Sequence, residues 1–323
     1  MNHTVILSLL VASASSMLGQ AVDPTVTERP TVPPASVANP GSGNAANVDA
    51  SDAGAQRPIF LKTENISTFA GFDTKYLYKD NPLSSAEKIN FIETAMWMNT
   101  VYGGASFSPI EVDNAVITPY AGVSWTSTKY LESGLDGLDF FSTSAYGLLL
   151  AQHTSGWAFR AGVSYASDKS EATKDETYKE FYPNVGAMRM IGINENALAI
   201  FDISGGIHKS DSDPVFGTSL KELENIDVTG SVAIRYAYND FIITPRYSAT
   251  HKTYTEGATS SNDGRKDLIH SLSLKVDYPL TDNFTISLFG GYSKRDSKGG
   301  TTGLPFDFES SDGGISLGIN KSF

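Results

Sequence analysis

Ile315-Ser316-Leu317-Gly318-Ile319-Asn320-Lys321-Ser322-Phe323 closes the chain, with Ile315, Leu317, Ile319 and Phe323 on one parity and Ser316, Gly318, Asn320 and Ser322 on the other. Successive side chains of a strand point to opposite faces, so this segment reads as a strand with one apolar side and one small or polar side. The same alternation recurs from Asn65 onward. Ile226, Val228, Gly230, Val232, Ile234, Tyr236 and Tyr238 alternate with Asp227, Thr229, Ser231, Ala233 and Arg235. Across a tight Asn239-Asp240 turn, Phe241, Ile243, Pro245 and Tyr247 alternate with Thr244, Arg246 and Ser248. Trp157 to Tyr165, Leu272 to Tyr278 and Phe284 to Tyr292 repeat the pattern, and weaker versions span 66–79, 93–105, 115–127, 139–152, 181–192 and 197–208. With the terminal segment this predicts twelve strands.

The connections between these segments alternate in length. Those near 80–92, 128–138, 167–180, 209–225, 252–267 and 294–312 are long and polar, whereas Thr154-Ser155-Gly156, Ile193 to Asn196, Asn239-Asp240 and Pro279 to Asn283 are short. The connection near 106–114 is intermediate. Long outer loops alternating with short inner turns, and an even strand number that returns both ends to one side, are the layout of a membrane barrel. Strands of about 10 residues suit a tilted membrane span, whereas soluble β-sandwiches use strands of about 5–6. Tyr236, Tyr238, Tyr247, Tyr278 and Tyr292 fall on the outward parity near the ends of the alternating segments, as interface aromatics do.

Composition bounds the alternatives. Of 323 residues 40% are apolar, yet no apolar run reaches the roughly 18 residues of a transmembrane helix. Glycine (29), tyrosine (15) and phenylalanine (17) are plentiful and charged residues make up only 19%, which suits twisted strands with aromatic girdles. A net charge of −12 argues against nucleic acid as a partner. With no cysteine, disulfides, thiol catalysis and cysteine metal sites are excluded. The N-terminus has a short apolar core, Val5 to Ala12, and a Gly19-Gln20-Ala21 cleavage site, although its first residues offer only the terminal amine and His3 as positive charge. Residues 22–58 carry six prolines, from Pro24 to Pro58, among Ala, Ser, Asn, Val and Thr, without apolar periodicity. Such a stretch cannot bury enough surface to offset its ordering entropy. The expectation is therefore a signal peptide at 1–21, a flexible linker at 22–58 and an all-β, antiparallel, up-and-down transmembrane barrel at 59–323.

A strand ending the chain at Phe323 resembles the C-terminal strand of bacterial outer-membrane barrels. The resemblance implies that Phe323 acts as an insertion signal for the barrel-insertion machinery. Lys321 departs from that pattern, because it stands where such strands carry an aromatic or apolar residue. Phe69-Ala70-Gly71-Phe72-Asp73-Thr74-Lys75-Tyr76-Leu77-Tyr78 is similar to the first strand of small porins of Gram-negative bacteria. That likeness implies an outer-membrane location, contact with lipid and lipopolysaccharide, and a porin-like activity with no particular substrate. Outward glycines and aromatics suit a homo-oligomer and suit lipid equally well.

If the apolar parity faces lipid, the opposite parity lines the interior. It carries Asp73, Lys75, Arg160, Asp202, Asp227, Arg235, Arg246, Lys275 and Asp277, charges that are costly against lipid and cheap against water. Arg235, Arg246 and Lys275 come from three successive segments. Two readings follow: a basic stripe favouring anionic or hydroxyl-rich solutes, or charges that pair across the interior and stiffen the wall. Twelve strands lie between the filled interior of an eight-stranded barrel and the aqueous channel of a sixteen-stranded one. A plugged structural or adhesion barrel is thus the main alternative to a passive diffusion pore. An enzyme is not expected. His153-Thr154-Ser155 superficially matches a histidine–serine pair but falls on a short inner turn, and His208, His251 and His270 near outer strand ends approach Asp211 or Asp213 without a fixed motif. Neither Asp211-Ser212-Asp213 nor Asn262-Asp263-Gly264 is a complete Ca²⁺ loop, and no cofactor is implied.

Overall fold

The computed structural model describes residues 66–80, 93–132, 135, 138–211, 224–255, 262–300 and 307–323. The expected signal peptide and linker lie outside them. Thirteen strands follow one another: β1 (Ser67–Lys79), β2 (Thr94–Ser106), β3 (Ile110–Val112), β4 (Ala115–Tyr130), β5 (Phe140–His153), β6 (Trp157–Ser170), β7 (Glu176–Asn194), β8 (Ala197–Asp211), β9 (Asn225–Tyr238), β10 (Phe241–Tyr254), β11 (Lys266–Thr281), β12 (Phe284–Lys298) and β13 (Phe308–Ser322). Each long strand pairs antiparallel with its sequence neighbours, β2 pairs with β4, and β1 pairs with β13. The result is a closed twelve-stranded barrel. The extra strand β3 folds against the start of β4 and occupies the connection of intermediate length.

The seam is the first strand against the last. Phe72 pairs with Ile319 and Tyr76 with Ile315, and backbone bonds between Thr68 and Phe323 (3.3 and 2.8 Å) carry the ladder to the final residue. Inner turns have the residues their backbone requires. Gly156 (φ 84°) and Asn239 (φ 52°) take the left-handed conformation that glycine and asparagine tolerate best. Proline has no N–H to give a ladder. Accordingly, the β9–β10 register lapses between Ile243 and Arg246, around Pro245, and the β7–β8 register lapses between Phe181 and Asn184, around Pro183.

The two faces are opposite in character. Val185, Ile203, Val232, Leu272, Leu288 and Ile319 all stand exposed on the exterior. Leaving such a belt in water forgoes about 1.5–3 kcal/mol per large side chain, so its solvent is lipid. Aromatic residues flank it: Tyr236, Tyr238 and Phe241 at the inner ends, Tyr76, Tyr78, Trp97 and Phe181 toward the outer ends.

Several strands extend further outward than the apolar alternation suggests. The connection expected at 167–180 is only a turn at 171–175, because β6 and β7 continue as a polar hairpin. Its side chains bond across strands, Ser142 to Asp168 and Ser167 to Glu176, so no apolar face is needed to hold it. The connections near 128–138, 252–267 and 294–312 shorten likewise. Tyr247 consequently sits in the middle of β10 rather than near its end.

Arginine on lipid-facing positions near the bilayer midplane costs about 2–4 kcal/mol, whereas interior substitutions are tolerated. Leu288→Arg is accordingly expected to lower unfolding free energy in lipid vesicles by about 2–4 kcal/mol, and Ser273→Arg by less than about 1 kcal/mol. Denaturant titration of both variants checks the assignment of faces.

Candidate functional site: the charged barrel interior

The nine charged residues expected inside stand on the strand parity opposite the exposed apolar row, with Arg160, Asp227, Arg235 and Asp277 buried. They form a paired network rather than a continuous basic stripe. Arg160 on β6 donates two bonds to the Asp202 carboxylate on β8, at 2.5 and 2.9 Å, with both side chains under a tenth exposed. The fork of a guanidinium matches a carboxylate in this bidentate way. Arg246 on β10 donates to Ser231 at 3.1 Å and lies within the electrostatic reach of Asp202 and Arg160. Lys275 bonds Asp277 at 2.8 Å along the same strand, and Asp277 also acts on Arg235. Asp73 interacts with Lys75 and Lys275, while the Lys75 ammonium stands 4.6 Å from the centre of the Phe289 ring. From the inner ends to the middle of the strands Lys75, Arg160, Arg235, Arg246 and Lys275 outnumber Asp73, Asp202 and Asp277. Pairing is therefore extensive and still leaves an excess of positive charge.

Glycine makes this network possible at one place. A Cβ on Gly186 of β7 would lie 2.6 Å from Arg160 Cζ, so only glycine leaves the guanidinium room to cross β7 and reach Asp202.

Between these charges and the outer mouth the wall is rich in hydroxyls. Thr100 and Thr126 share a hydrogen bond of 2.9 Å, Ser124 and Ser144 one of 2.7 Å, Thr229 and Thr250 one of 2.8 Å, and Ser271 and Ser293 one of 3.0 Å. Most of these are buried, but Ser273 is exposed and the Lys275 side chain is 41% exposed. The interior at their level is open to solvent.

Asp227 belongs to a second group nearer the outer end. It accepts from the Tyr182 hydroxyl (3.0 Å) and lies 3.5 Å from Nε2 of His208, whose Nδ1 is 3.0 Å from Glu180. The imidazole stacks on Tyr182 at 4.0 Å. His208 thus meets Glu180 and Asp227 rather than Asp211 or Asp213, of which Asp213 lies outside the described residues. His270 bonds the Tyr247 hydroxyl on the exterior. His153 bonds Ser155 at 2.7 Å and also accepts the Ser155 backbone N–H, which closes the inner turn between β5 and β6. Also at the outer end, Arg265 clamps Asp267 with bonds of 2.8 and 2.5 Å, and its guanidinium stands 4.5 Å from the centre of the Tyr254 ring. Leu135 packs with Leu77, Met96, Met98, Tyr130 and Phe140 on the other side of the mouth.

Sequence reasoning did not assign Glu180, His208, Lys252, Arg265, Asp267 and Arg295 to the interior. Their parity was available, since Lys252 shares that of Arg246 and Asp267 that of Lys275. The apolar partners that mark parity stop short of these residues, so the signal required carrying the strands beyond the lipid belt.

No family model matches the sequence, and no curated protein does. Among solved structures the chain is similar in fold to the COG4313 outer membrane channel from Pseudomonas putida F1, at 10% identity over 82% of this chain and 100% of that one, with a TM-score of 0.49. It is similar to the KdgM porin in complex with disordered oligogalacturonate, at 10% identity over 77% and 98%, TM-score 0.40. The translocator domain of the autotransporter NalP from Neisseria meningitidis gives 11% identity over 80% and 90%, TM-score 0.39.

Removing one partner of a buried ion pair strands a charge, whereas removing both with apolar replacements does not. Asp202→Asn, which leaves Arg160 and Arg246 without their shared carboxylate, is expected to cost about 3 kcal/mol of unfolding free energy. Arg160→Met combined with Asp202→Leu is expected to recover the share of that loss that comes from Arg160 in the same titration.

Proposed function

We propose that the chain is an outer-membrane channel for passive diffusion of small hydrophilic solutes through a charged interior. The carrying observation is the combination of a closed, lipid-facing barrel with accessible polar side chains at mid-height, Ser273 and Lys275 above all. A filled barrel buries such groups; a water-filled one leaves them wet. Lys75, Arg160, Arg235, Arg246 and Lys275, with Asp73, Asp202, Asp227 and Asp277 between them, line the path, and their balance at mid-height favours anions over cations. Paired guanidinium and carboxylate groups set a field across the path, which also suits hydroxyl-rich solutes. The same reading makes residues 1–21 the export signal, 22–58 a periplasmic tether, Phe323 the residue recognised during insertion, and lipopolysaccharide part of the surrounding lipid.

A second reading, a plugged structural barrel, draws on the packing of Leu135 against Leu77, Met96 and Phe140 at the outer mouth. Conductance separates the two. The purified protein in a planar bilayer under a KCl gradient is expected to open in discrete steps with a reversal potential on the anion-selective side. A folded, heat-modifiable but silent barrel would favour the plugged form. Changing Arg235, Arg246 and Lys275 together to glutamine is expected to move the reversal potential toward cation selectivity, and an unchanged value would remove these residues from the path.

A further inference from the structure

The lipid-facing belt is uneven. At mid-strand on β7, β8, β9, β11, β12 and β13 the exterior shows Val185, Ile203, Val232, Leu274, Leu288 and Leu317, while β10 presents Tyr247. On β1, β2 and β4 the equivalent row is polar: Thr74 pairs in register with Asn99, and Asn99 with Ser127. Nearer the inner end, Ala105, Ala121 and Gly147 form a row of small residues across β2, β4 and β5.

Asn99 is oriented by its neighbours. The Thr74 hydroxyl donates to Oδ1 of Asn99 at 2.8 Å, and the Trp97 indole donates to Thr74 at 2.9 Å and to Asn99 Oδ1 at 3.1 Å. An indole N–H only donates, so the atom of Asn99 that faces it is the oxygen. The amide nitrogen therefore points away, and among the described residues no acceptor serves it. Asn99 lies between Trp97 and Val101 on the same outward face, one step further from the outer end than Trp97, and an N–H left unsatisfied in lipid costs several kcal/mol.

We propose that this face, centred on Asn99 and flanked by the Ala105–Ala121–Gly147 row, packs against a second copy of this chain in the membrane. The occupant must itself sit in lipid, because the face lies inside the apolar belt. Two copies share one orientation in the bilayer, so a two-fold axis along the membrane normal brings a residue beside the axis to its own counterpart at the same depth. A carboxamide is both donor and acceptor and is complementary to itself, and small residues let two backbones approach closely. Asn99 meeting Asn99 satisfies the donor that the single barrel leaves open. This pairing is independent of whether the barrel conducts.

The absence of cysteine makes the test clean. The full-length protein carrying Val101→Cys, reconstituted in lipid and oxidised, is expected to form a disulfide-linked dimer. Leu272→Cys, on the far side of the barrel between Tyr247 and Tyr292, is expected to stay monomeric. Adding Asn99→Leu to Val101→Cys is expected to weaken association roughly tenfold, read as loss of cross-linked dimer upon dilution into excess lipid, while heat-modifiability confirms that the barrel is folded. Equal cross-linking of Val101→Cys and Leu272→Cys, no cross-linking at Val101→Cys, or undiminished dimer with Asn99→Leu would each overturn the proposal.

Discussion

Every backbone N–H and C=O that passes through hydrocarbon needs a partner within the protein, and closing a sheet on itself is the way strands meet that need. In this chain closure falls on the pairing of β1 with β13, so β13 completes the ladder begun by the first strand. The Thr68–Phe323 backbone bonds make the terminal aromatic residue part of the seam itself. Losing that ladder would expose two strand edges to lipid at once. The alternation of side chains, the inner turns and the lapses at Pro183 and Pro245 are all arranged around an otherwise unbroken ring.

Closure also divides the side chains into two environments with opposite demands. Outside, the solvent is lipid, and polar groups are tolerated only where neighbours satisfy them, as Thr74 and Trp97 do in part for Asn99. Inside, charges are retained by pairing and by water. The Arg160–Asp202 fork crosses β7 because Gly186 leaves space for it. The interior is therefore graded: ionic at mid-height, hydroxyl-lined above, and packed toward the outer mouth by Leu135 on one side and the His208 and Arg265 groups on the other. On the proposed reading, a solute entering from outside meets the packed layer before the wet one.

The architecture was legible because period-2 alternation and short inner turns both report on the same membrane constraint. Strand number and the interior placement of Arg160, Arg235, Arg246 and Lys275 follow from parity alone. What parity does not contain is reach. It puts Arg246 and Lys275 on one wall without saying that Asp202 and Asp277 stand between the basic groups. Nor does it mark where strands end once they leave lipid, since a polar hairpin such as 167–180 has no apolar face to reveal its alternation. Glu180, His208 and Asp267 were missed for that reason. Leu135 was beyond any strand pattern, because its position depends on how a connection folds back.

The central claim is that one parity of each strand faces lipid and the other faces water inside a conducting barrel. Adjacent positions on β11 test it most directly, since Leu272 and Leu274 face out while Ser273 and Lys275 face in. Single cysteines at these four positions in the lipid-reconstituted, otherwise cysteine-free protein would be exposed to a charged, membrane-impermeant thiol reagent. The account expects fast labelling at 273 and 275 and protection at 272 and 274. Labelling of the even positions, or protection of all four, would contradict it.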